Sequence, residues 1–134
     1  LDSTSEGRWA DRAYINAVEV INHLPKDILL NMAYYESSFR TCPTSPAGAV
    51  GLFQFMPDTA AAMGLDDPCD PEEATKAAGK YLRRLLDTKG IDGDIVKAVA
   101  AYNWGVSNVI KRGLQEAPKE TKDYVFNILG ISLP

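Results

Sequence analysis

Four short stretches of this sequence set polar, chemistry-bearing side chains inside apolar surroundings. In "YYES", Glu36 closes an apolar run, behind Tyr34 and Tyr35 and ahead of Ser37 and Ser38. A carboxyl group at the C-terminal end of a helix meets that end's partial negative charge, and apolar neighbours desolvate it. Both effects favour the protonated form, which a general acid near neutral pH requires. Taken alone, the segment reads more simply as a solvated glutamate in a fraying last turn. The second stretch, "SPAGAVGLFQFMP" (45–57), changes that balance. Pro46, Gly48 and Gly51 oppose a regular helix, and the apolar block after them is broken once, by Gln54. Gly48 and Gly51 are expected to let the loop fold back over the helix carrying Glu36. Leu52, Phe53, Phe55 and Met56 would then wall a dry pocket, with Gln54 offering a donor and an acceptor inside it. The third stretch, "AAYNWG", places Tyr102 and Asn103 where a helix stops at Gly105. The fourth, "KETKDYV", places Glu120, Lys122 and Tyr124 at the start of another helix.

The elements that must hold these groups are helical. Apolar residues recur at helical spacing along nearly the whole chain, and no stretch alternates over strand length, so the expected class is all-α. Helices are expected over 9–22, 25–37, 56–64, 70–90, 92–105, 106–113 and 119–130. Within 25–37, Ile28, Leu29, Met32 and Tyr35 should share a buried face. Pro57 suits a first helical turn and Gly64 a stop. The helix over 70–90 has Asp70 as cap, Pro71, Glu72 and Glu73 in its first turn, and Gly90 at its end. His23, in "NHLP", falls near a helix end. The 134 residues are 46% hydrophobic and 24% charged, which describes one folded domain with a real core. Its motif-bearing part covers about 25–130, with an N-terminal helix and a polar leader in 1–24.

Net charge is −4 with no block of Lys and Arg, so a nucleic-acid footprint is lacking. No apolar run approaches the ~20 residues that cross a bilayer. The opening "LDSTSEGRW", with neither initiator Met nor signal peptide, fits an excised domain or a processed product. Asp66, Asp67, Asp70, Glu72 and Glu73 form an acidic cluster without the spacing of a calcium loop, and helix capping accounts for most of it. Lys76, Lys80, Arg83 and Arg84 lie along one helix opposite leucines, as a solvated face would. With one histidine and no close cysteine pair, a protein-built zinc site lacks ligands. Cys42 and Cys69 leave two readings: a disulfide, or two free thiols in a reducing compartment. Both border the loops around the glycine-rich stretch, so they are expected to lie close enough to pair.

In this order, "YYESSFR", "SPAGAVGLFQFMP", "AYNWG" and "ETKDYV" resemble the four motifs of the soluble lytic transglycosylase (SLT) domain, within the lysozyme-like superfamily. The resemblance implies a compact lysozyme-like helical fold, no cofactor, and peptidoglycan glycan strands as substrate. It matches Glu36 to the family's catalytic acid/base. Ser45, Gln54 and Met56 match residues around the reacting sugars, Tyr102 and Asn103 the third motif, and Glu120 and Tyr124 the last. Ala74 stands where the family commonly has Asn, and Lys122 where some members carry Arg.

Most glycosidases use a second carboxylate as nucleophile or base. No motif here marks one, and Asp58 reads as a helix-start residue. The resemblance therefore implies cleavage of the MurNAc–GlcNAc bond by attack of the sugar's own 6-hydroxyl, leaving 1,6-anhydro ends. The alternatives are a hydrolytic lysozyme on the same fold and a non-catalytic glycan-binding domain. SLT domains occur in periplasmic enzymes and in phage virion proteins, so the expected setting is the cell-wall or periplasmic space. The expected unit is a monomeric domain, on its own or within a larger protein or assembly.

Overall fold

The computed structural model describes residues 7–134; the first part of the polar leader, residues 1–6, lies outside them. Seven α-helices follow one another among the described residues: α1 (Arg12–Ile21), α2 (Ile28–Ser37), α3 (Pro57–Ala62), α4 (Pro71–Asp87), α5 (Ile95–Trp104), α6 (Val106–Arg112) and α7 (Lys119–Leu129). A short 3-10 turn, Leu114–Glu116, which the apolar pattern gives no sign of, precedes α7. Among the described residues, extended pairing is confined to isolated bridges, such as Val50 with Phe55. No described helix is long and apolar enough to cross a membrane. The chain forms two compact units, Leu1–Tyr81 and Leu82–Pro134, and α4 begins in the first and ends in the second.

In the first unit α1 packs on α2. α1 is capped by Asp11, whose side chain accepts from the Tyr14 N–H at 3.1 Å. α2 buries Ile28, Leu29, Leu30, Met32, Ala33 and Ser37, so core surrounds most of its circumference. Only a strip around Tyr34 and Tyr35 meets solvent. Tyr35, expected on the buried face, is 48% exposed. It lies three residues beyond Met32, past the edge of that face.

Helix starts follow capping chemistry. Pro57 occupies the first turn of α3, with Asp58 beside it and Met56 as the cap residue. The Asp70 carboxylate accepts from the N–H groups of Glu72 (2.9 Å) and Glu73 (3.1 Å), and Asp67 accepts from the Cys69 N–H at 2.9 Å. The acidic cluster thus serves turns and caps. Lys76, Lys80 and Arg84 are exposed along α4, while Leu82, Leu85 and Leu86 are buried. Ala74 is fully buried, at a position where the amide of an Asn would need hydrogen-bond partners.

In the second unit α5 packs against both α6 and α7. Ala98, Val99, Ala100 and Ala101 of α5 are buried, as are Val109 of α6 and Val125 and Ile128 of α7. Asp94 caps α5 through the N–H groups of Val96 and Lys97.

Candidate active site

Glu36 sits in the last turn of α2 and is half-buried. Counting at 100° per residue, it falls 40° from Met32 and 20° from Leu29, both fully buried. Its side chain therefore continues the core-facing meridian of the helix rather than the solvent strip of Tyr34 and Tyr35. Beyond it the chain turns sharply, because Ser38 (φ 55°) and Phe39 (φ 63°) are both left-handed. That conformation costs L-residues about 1–2 kcal/mol each. Ring contact between Phe39 and Tyr34, with centroids 5.8 Å apart, and a hydrogen bond from the Trp9 N–H to the Phe39 carbonyl (2.8 Å) hold the turn.

Ser37 does what the glycines were expected to do. It is 3% exposed, and its hydroxyl lies 3.0 Å from the Ala33 carbonyl and 2.8 Å from that of Leu52. That second contact fastens the loop to the end of α2 beside Glu36. Gly51 makes its close approach elsewhere. Its φ is +89°, and a Cβ there would land on the carbonyl oxygen of Pro68. Gly48 (φ +95°) has open space around it and serves only the turn. Cys42 and Cys69 form a disulfide, with Cα atoms 4.6 Å apart, which joins the same two segments covalently.

The apolar block is not a pocket wall. Leu52 and Phe53 are fully buried and Phe55 is 3% exposed, so these three belong to the core; Met56 alone is exposed, at 43%. The paired backbone bonds between Val50 and Phe55 (2.9 and 3.0 Å) close a tight turn that points the rings inward. Gln54 takes a left-handed φ of 52° in that turn. Its amide nitrogen donates to the carbonyls of Pro43 and Gly51, both at 3.0 Å. Both amide protons are thereby engaged, and a ligand meets only the acceptor oxygen. The Ser45 hydroxyl oxygen accepts from the Ala49 N–H at 3.0 Å, bracing the turn at Gly48.

The second unit holds a separate polar cluster. Asn103, near the end of α5, donates from its amide nitrogen to Glu120 in the first turn of α7 (3.2 Å). The buried Thr121 hydroxyl donates to the amide oxygen of Asn103 at 2.8 Å. Thr121 thus fixes which way the amide faces. Tyr102 is half-buried, and Tyr124 is 9% exposed. Neither Ser37 nor Thr121 stood out as a site residue in the sequence. The signal for each was adjacency, Ser37 following Glu36 and Thr121 following Glu120.

The family model for the transglycosylase SLT domain matches residues 13–125. The chain belongs to this family. Among curated relatives, the SLT chain is 37% identical over 100 residues to membrane-bound lytic murein transglycosylase F of Yersinia enterocolitica, covering 72% of this chain and 20% of that protein. It is 33% identical over 126 residues to peptidoglycan transglycosylase gp16 of Escherichia phage T7, covering 83% of this chain and 9% of that protein. The SLT chain thus spans less than a quarter of the length of either relative. Among solved structures, the 70 kDa soluble lytic transglycosylase of Escherichia coli superposes with a TM-score of 0.75 at 24% identity, over 89% of this chain and 23% of that one. At that identity the likeness establishes the fold, an all-α one of the lysozyme-like SLT type.

Proposed function

We propose that this SLT domain cleaves the β-1,4 bond between MurNAc and GlcNAc of peptidoglycan without water, using Glu36 as its single acid and base. The observation that carries the reading is a half-buried carboxyl group on the core-facing meridian of α2, within a chain of the transglycosylase SLT family. Protonated Glu36 donates to the glycosidic oxygen; the bond from that oxygen to C1 of MurNAc breaks, and GlcNAc leaves with its 4-hydroxyl restored. The N-acetyl group of MurNAc stabilises the electron-poor C1. The Glu36 carboxylate then takes the proton of the MurNAc 6-hydroxyl as that oxygen bonds to C1. The acid is regenerated, and the product carries a 1,6-anhydro end. An intramolecular nucleophile of this kind reaches effective molarities on the order of 10⁵ M or more. Asp58, in the first turn of α3, and Glu120, held by Asn103, have structural partners or positions of their own.

Saccharide binding is assigned to Ser45, Gln54 and Met56 and to Tyr102, Asn103, Glu120 and Tyr124. The Gln54 carbonyl oxygen suits a sugar hydroxyl or an acetamido N–H, and the exposed Met56 suits an apolar sugar face. The domain acts as a monomeric module of a larger protein, in the cell-wall or periplasmic space, in a bacterial enzyme or a phage virion.

Mass spectrometry of digested peptidoglycan tests the chemistry, since an anhydro end is lighter by one water than a reducing end. Anhydro products from the wild type, and none from a folded Glu36→Gln variant, are expected. Reducing ends would make the enzyme a hydrolase and turn attention to Asp58 and Glu120. Full turnover by Glu36→Gln would remove Glu36 from the mechanism.

A further inference from the structure

We infer that Glu19, a buried carboxylate outside all four motifs, is a positioning residue for Glu36, because it supplies from α1 the cap of the helix that carries the acid. The inference rests on the reading of Glu36 as that acid.

The Glu19 side chain is 1% exposed. One carboxylate oxygen accepts from the Asn16 amide nitrogen (2.7 Å) and the Asp27 N–H (2.8 Å). The other accepts from the N–H groups of Leu29 (2.9 Å) and Leu30 (3.4 Å). The three backbone donors are those that a helix start leaves without intrahelical partners. Ordinarily the cap residue's own side chain satisfies one of them. Here the cap residue, Asp27, is left-handed (φ 68°) and makes no side-chain cap bond. Its carboxylate instead accepts the second proton of the Asn16 amide at 3.0 Å.

A cap within its own segment would hold the helix start only to itself. A cap lent by α1 ties both the axial position and the rotation of α2 to its neighbour. Charge-assisted bonds are short and directional, and a negative group suits the positive end of a helix. Glu36 follows Leu29 by seven residues, about 10 Å along nearly the same meridian. A slide or rotation at the start of so short a helix reaches its last turn undiminished. Displacing a reacting group by about 1 Å can lower a rate by up to about 10²-fold.

The test is kcat and KM on soluble, uncrosslinked glycan strands, at a temperature where circular dichroism shows each variant folded. In Glu19→Gln the amide nitrogen faces backbone N–H donors and cannot accept from them. Its kcat should fall about tenfold with KM unchanged within about twofold. Asn16→Ala keeps the carboxylate, and kcat should fall about threefold. Val18→Ala, on the side of α1 that faces Gly79 of α4, should lower the melting temperature and leave kcat per folded molecule unaltered. Wild-type kcat in folded Glu19→Gln and Asn16→Ala, with only stability lost, would overturn the inference. If Glu19→Gln does not fold, an unaltered kcat in Asn16→Ala overturns it. Glu36→Gln in the same assay separates the two claims. If it turns over normally, the acid assignment and this inference both fall. If it is inactive while the position-19 and position-16 variants match wild type, only this inference falls.

Discussion

The loop over 43–56 and the polar cluster of α5 and α7 carry similar residue types and use them in opposite ways. In the loop, Gln54 and Ser45 bond to main-chain groups, and Ser37 reaches in to do the same. In the second unit, Asn103, Glu120 and Thr121 bond to one another. A side chain bonded to the backbone fixes the path of the chain, whereas a side chain bonded to another fixes a rotamer. Loss of a polar group should therefore cost folding free energy in the first region and ligand geometry in the second.

The sharpest break in that contrast is Gly51→Ala. Strain at φ +89° adds to a Cβ driven onto the Pro68 carbonyl, a backbone group with little freedom to move. We expect a loss of about 3 kcal/mol in denaturant unfolding. An unchanged unfolding midpoint would mean that the loop is not fixed by its backbone. Gln54→Ala should cost about 1.5 kcal/mol, since the carbonyls of Pro43 and Gly51 each lose one of two donors and keep the backbone N–H groups of Gly51 and residue 54, and glycan cleavage should fall with it. Lost activity at full stability would make Gln54 a binding residue only. Thr121→Val keeps the side-chain shape and should cost about 1 kcal/mol or less. It should weaken glycan binding severalfold, measured by calorimetry in a Glu36→Gln background so that the ligand survives. A larger stability loss than that of Gln54→Ala would erase the distinction.

The helices were legible because their signals are local. Asp70, Pro57 and Gly105 mark boundaries through bonds and dihedrals within a few residues. Glu36 was legible as a carboxyl group at the end of an apolar helix. The direction of side chains within the loop was not. Phe53 and Met56 are alike in apolar character, yet one is fully buried and the other 43% exposed. That split depends on a left-handed Gln54, which no residue type announces. Glu19 was illegible for a related reason. Its backbone donors lie eight to eleven residues away, at the start of another helix, so its burial follows only once α1 and α2 have docked.

The Cys42–Cys69 bond closes a covalent ring that contains Ser45, Gln54 and the whole of α3. Pro46 and Ala47, exposed at the tip of that ring, are where a protease would meet the loop. A single cut there yields two polypeptides that remain one molecule, with Glu36 on one piece and Asn103 on the other. Such damage would pass unseen on a non-reducing gel and appear as two bands only after a thiol is added.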